Sequence, residues 1–93
     1  MQGPERKEEM KNEHGERKYF TPVPQQIYEN AGGGFYACIA SFADCSAVMI
    51  NLKSGWRIMC RGVGMYDDGL IDWNYSTGGQ FVEIPYQFKG VRA

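Results

Sequence analysis

The stretch AVMINLKSGWRIMCRG, residues 47–62, decides the fold. Val48, Ile50 and Leu52 alternate with Met49 and Asn51, and after Ser54-Gly55 the alternation resumes. There Trp56, Ile58 and Cys60 take one side, while Arg57, Met59 and Arg61 take the other. A period of two on both sides of a glycine-containing break reads as an antiparallel hairpin, with Ser54-Gly55 as a two-residue turn.

The neighbouring segments follow the same grammar. QQIYEN (25–30) is a short strand, and AGGG (31–34) a turn rich in residues that tolerate positive φ. FYACIASF (35–42) reads as a mostly buried strand, and ADCS (43–46) turns the chain. GLIDWNYS (69–76) directs Ile71, Trp73 and Tyr75 inward, with Asp72 and Asn74 outward. A second glycine pair, Gly78-Gly79, reads as a turn before QFVEIPY (80–86), where Pro85 ends pairing. No segment carries the i, i+3, i+4, i+7 pattern of an amphipathic helix. Strands about ten residues apart indicate an all-β chain, a small antiparallel meander curled into an SH3-like barrel of five or six strands.

The two tryptophans, six tyrosines and five phenylalanines all lie between Tyr19 and Phe88, so the folded unit is expected over residues 19–93. The chain of 93 residues has room for one core. Residues 1–18 balance Glu against Lys and Arg without an apolar stripe, and read as a solvated polar arm. The arm is charged and has no apolar run of a secretory signal, and no run of about eighteen apolar residues reads as a membrane span.

Chemistry is sparse. Cys38, Cys45 and Cys60 are odd in number and lack metal-site spacing. Cys38 and Cys60 read as buried hydrophobes and Cys45 as a turn thiol, usage that suits a reducing cytoplasm. The one histidine, His14, lies in the arm, away from any nucleophile. Asp67, Asp68 and Asp72 miss the calcium-loop pattern because Gly69 follows Asp68 directly. Asp67-Asp68-Gly69 reads instead as a hairpin turn, the aspartates bonding to local backbone and Gly69 supplying positive φ. Gly62-x-Gly64 lacks the third glycine of a phosphate loop. No cofactor, metal or catalytic residue is expected, and the chain reads as a non-enzyme.

Binding remains. Arg57, Met59, Arg61, Tyr66, Asp68, Asp72 and Asn74 are the candidate partner contacts, because arginine, aromatic and methionine side chains enrich interface cores. A net charge of −1 disfavours nucleic acid, though a barrel binding nucleic acid or a nucleotide-like small ligand through its glycine turns is the alternative.

Ser54-Gly55-Trp56, Tyr66-x-Asp68-Gly69, Ile71-x-Trp73 and Tyr75-Ser76-x-Gly78-Gly79 together resemble small uncharacterised proteins of phages, plasmids and conjugative elements of gut Firmicutes. The resemblance spans roughly residues 25–83 and carries no catalytic residue. It implies a cytoplasmic accessory or anti-defence protein on a mobile element, acting as an inhibitor by binding a macromolecular, most simply protein, partner.

Overall fold

The computed structural model describes residues 15–83. The first fourteen residues of the expected arm, with His14, and the expected end of pairing at Pro85 lie outside them. The described residues are all-β, without a helix, in two antiparallel sheets. The larger sheet has the order β2-β3-β4-β5-β8, from β2 (Ile27–Glu29), β3 (Phe35–Phe42), β4 (Ser46–Asn51), β5 (Trp56–Arg61) and β8 (Tyr75–Phe81). The smaller has the order β1-β6-β7, from β1 (Lys18–Tyr19), β6 (Gly64–Met65) and β7 (Ile71–Asp72). Among the described residues β2 pairs only with β3 and β8 only with β5, so no strand pairing closes the larger sheet on itself.

The 47–62 hairpin is present as β4–β5, with Ala47 opposite Cys60 and Ile50 opposite Arg57. Its connection is longer than the expected Ser54-Gly55 turn, because β4 stops at Asn51. The Asn51 side-chain oxygen accepts from the N–H groups of Lys53 and Ser54, at 2.9 and 3.0 Å. Its carbonyl accepts from Gly55 N–H at 2.7 Å, and Gly55 sits at φ +80°. An Asn that caps the loop locally outcompetes one more ladder pair.

Cross-strand partners share a sheet face, so the register assigns every side chain of the larger sheet. Cys38, Ala47, Met49 and Cys60 occupy one face, join Val63 and Ile71 from beyond the sheet, and are all shielded from solvent. Phe20, Tyr28, Tyr36, Ile58, Met65 and Trp73 close around them, with Tyr36 and Trp73 edge to face at 5.0 Å. Ala37 and Ile50 face the other way and are covered by Ile27, Leu52 and Val82. β4, the middle strand, is therefore buried on both faces.

The smaller sheet is tied on by backbone bonds. Phe20 N–H donates to Val63 O, Val63 N–H to Cys45 O, and Ala31 N–H to Ile71 O. The 67–69 turn is as expected: Gly69 N–H donates to Tyr66 O at 3.0 Å, Asp68 accepts from Leu70 N–H, and Gly69 takes φ +90°. In the β3–β4 connection Cys45 occupies the equivalent left-handed position, at φ +66° without being glycine.

Two expectations are corrected. Residues 69–76 do not make one strand. The chain leaves the smaller sheet after Asp72 and enters the larger at Tyr75, so Ile71 is buried while Tyr75 is 54% exposed. Gly78-Gly79 is no turn but the middle of β8, where the register against β5 slips by one residue between Trp56–Phe81 and Ile58–Gly78. A Cβ on Gly79 would collide with the Arg57 carbonyl, whereas one on Gly78 meets nothing within 4 Å. Glycine serves close backbone approach at a bulge here.

This contrast is testable. Gly78→Ala should leave stability within about 0.5 kcal/mol of the parent, or raise it slightly. Gly79→Ala should cost at least about 2 kcal/mol in urea unfolding, because the bulge must open.

Candidate functional site

Alternation along β5 puts Arg57, Met59 and Arg61 on the outer face, opposite Cys60, as expected from sequence. One row of that face is distinctive. Phe42 stands opposite Ser46, the β4–β5 register carried on by one residue brings Ser46 beside Arg61, and Arg61 stands opposite Tyr75. Ser46 is buried although it lies at this face, a short side chain between larger neighbours. Phe42 is 46% exposed, Tyr75 54%, and Arg61 is exposed between them. The next row carries Ala40, Val48, Met59 and Thr77. Ile39, the unpaired residue at the β3 bulge, and Phe35 add exposed apolar surface on the same strand.

The remaining candidates lie elsewhere. Tyr66 is buried, 7% exposed, and its hydroxyl donates to the Asp72 carboxylate at 3.3 Å. Burial is the main reason its phenol is pushed above the ordinary range, the Asp72 charge adds to this, and the Arg17 guanidinium opposes it. Asp72 also accepts from Trp73 N–H. Asn74 accepts a hydrogen bond from the Arg17 guanidinium, and its own N–H donates to Arg61 O. Arg17 lies over the Tyr19 ring at 5.8 Å, and its stem passes so close to Gly64 that a Cβ there would meet it. Asn74 likewise lies against Gly62, at φ +68°. Tyr66, Asp72 and Asn74 thus hold the smaller sheet and β1 in place, and Asp68 braces its turn. On the outer side of β5 Arg61 is exposed, while Arg57, opposite the covered Ile50, and Met59 are half-buried; Tyr66, Asp72, Asn74 and Asp68 are engaged in contacts within the chain.

Arg17, Ser46 and Tyr75 were not singled out from sequence, whereas Phe42 was among the aromatics read as able to flank Arg57 and Arg61. Arg17 falls in a charge-balanced run, and its partner is 57 residues away. Tyr75 read as core because the alternation of residues 69–76 was continued through the bend after Asp72, which reverses it.

The three thiols separate clearly. Burial pushes Cys38 up to about 11 and Cys60 up to about 12, the latter with a smaller contribution from Cys38. Cys45 is half-buried at the loop. Among the described residues no three His, Cys, Asp or Glu side chains gather as metal ligands, and no helix is long and apolar enough to cross a membrane.

Removing either partner of the Arg17–Asn74 bond should destabilise the fold by about 1 kcal/mol. The double variant Arg17→Ala/Asn74→Ala should cost less than the sum, a coupling readable in a urea double-mutant cycle. In the native protein a disulfide reagent at pH 8 should modify Cys45 within minutes, and Cys38 and Cys60 only on unfolding. Because the folded thiols titrate above their unfolded value, their stabilising contribution is complete below about pH 8.5. It is lost as pH rises toward 11–12. The urea midpoint should fall over that interval, less steeply in Cys60→Ala, by on the order of 1 kcal/mol per pH unit per thiol. Compared with protein-family models, curated proteins and solved structures, the chain matches none.

Proposed function

We propose that this chain is a non-enzymatic binding module that holds a protein partner against the outer face of its larger sheet. The observation that carries this reading is the Phe42–Ser46–Arg61–Tyr75 row. Two aromatics about half exposed flank an arginine above a small buried residue. Aromatic and arginine side chains dominate the energetic centres of protein interfaces. Each aromatic left open here withholds apolar surface that the domain would otherwise bury. Met59 and Val48 in the adjacent row extend the apolar patch. The reading includes a barrel-like curl of the two sheets around the common core, in the manner of small SH3-like domains. It also includes a cytoplasmic setting on a mobile element, where the module blocks host machinery as an accessory or anti-defence protein. Support for that setting is the sequence resemblance and the unpaired thiols alone.

Binding of single-stranded nucleic acid is the competing reading, since aromatics beside arginine also stack bases. The net charge of −1 weighs against it.

Affinity capture from a host lysate with the parent chain, Tyr75→Ala and Arg61→Ala tests the reading. A protein retained by the parent should be lost with both variants, with Kd weakened at least about tenfold in calorimetry. It should persist with Lys53→Ala, away from this face. Retention by all variants would move the contact elsewhere. Salt-sensitive anisotropy with a labelled oligonucleotide, abolished by Tyr75→Ala, would replace the protein by nucleic acid.

A further inference from the structure

The guanidinium of Arg17, just ahead of β1, gathers residues from far along the chain. It donates to the Asn74 side-chain oxygen and bonds the Tyr66 hydroxyl, which itself donates to Asp72. The Arg17 stem lies against Gly64, and Lys18 and Tyr19 pair with β6. Gly15 lies against the Asp67 side chain, and Phe20 N–H closes on Val63 O. Residues 15–20 therefore form a strap laid across the smaller sheet. Its far contact, Asn74, stands in the crossing from β7 to β8, and Asn74 N–H donates to Arg61 O at 2.9 Å. The next residue is Tyr75, paired with Arg61. The strap thus reaches the pair that closes the outer row.

We infer that this strap and the Arg61–Tyr75 end of the larger sheet open and close as one unit, with Arg17 the positioning residue that joins them. Its meaning for binding rests on the proposed function: a seated strap holds Arg61 and Tyr75 together for a partner, and a released strap lets them part. Once the strap leaves, β6 and β7 remain as two strands of two residues each, too short to persist on their own pairing. The Tyr66–Asp72 bond loses the cation beside it. Asn74 loses the donor on its side chain, and the exposed start of β8 keeps only its ladder bonds. Trp73, edge to face on Tyr36 at the core, is the pivot of the movement. Met49 and Ile50, each in a buried cluster, take no part. A partner that needs the closed row then favours the seated strap without touching it, because both belong to the same two-state element.

Native-state amide exchange and relaxation dispersion on the full chain test this without any partner. In the parent, the Phe20 and Asn74 amides should show protection equal within about threefold, and at least about tenfold below that of Met49. Dispersion at Phe20, Val63, Asn74 and Tyr75 should fit a single opening rate, with none at Met49 or Thr77. Arg17→Met keeps a stem against Gly64 but has no donor, and should raise the open population at all four positions together, about fivefold. Arg17→Lys, which can still donate to Asn74, should return them part of the way to the parent. Separate rates at Phe20 and Asn74, an Arg17→Met effect confined to Phe20 and Val63, or Asn74 as protected as Met49 would overturn the inference. The parent measurement decides the matter even if a variant does not fold. Joint opening in a chain that captures no partner would fault only the proposed function. Separate opening in a chain that captures a protein through Tyr75 would fault only the strap.

Discussion

Burial of the middle strand on both sides is the constraint on which the structure rests. Met49 anchors the common core and Ile50 the smaller cluster beneath Leu52 and Val82, from adjacent positions on β4. A slip of one residue against β5 would put Met59 and Arg61 where Ile58 and Cys60 belong, burying a guanidinium without a partner. The register is therefore fixed by what may and may not be dry. With β4–β5 fixed, the outer face of β5 follows from geometry, and so does the row that joins Arg61 to two aromatics.

How far sequence alone reaches depends on what each residue answers to. The 47–62 hairpin was legible because its pattern and its chemistry agree over a dozen residues. Asp67-Asp68-Gly69 was legible because a three-residue turn needs an αL position, and glycine marks it. Gly78-Gly79 misled because glycine signals two opposite things, freedom to turn and room for an approaching backbone. Only the position of the Arg57 carbonyl decides between them. The smaller sheet could not be read at all, since strands of two residues have no period to detect. The candidate site was half legible: β5 alternation is local, but the roles of Tyr66, Asp72 and Asn74 depend on Arg17, far away in sequence.

The molecule divides its polar groups by position. Carboxylates and amides near the smaller sheet are spent on fastening it, through Asp72 on Tyr66 and Asn74 on Arg17. Among the described residues, the larger sheet's outer face is left with arginine and aromatic side chains that no internal bond consumes in the same way. Small domains have little core to spare, so apolar groups held open at such a face represent stability forgone.

The two-residue strand β1 has a kinetic consequence. It pairs with β6 across more than forty intervening residues, with two register positions to reward closure of that loop. Contacts of this kind form late and open early, because chain entropy must be overcome before they return anything. Amide exchange should thus find the Phe20–Val63 hydrogen bond among the least protected in the domain, while β4 exchanges only with global unfolding. The core residues Val63 and Ile71 sit beneath that flap, so transient hydration of the interior begins at the N-terminal side.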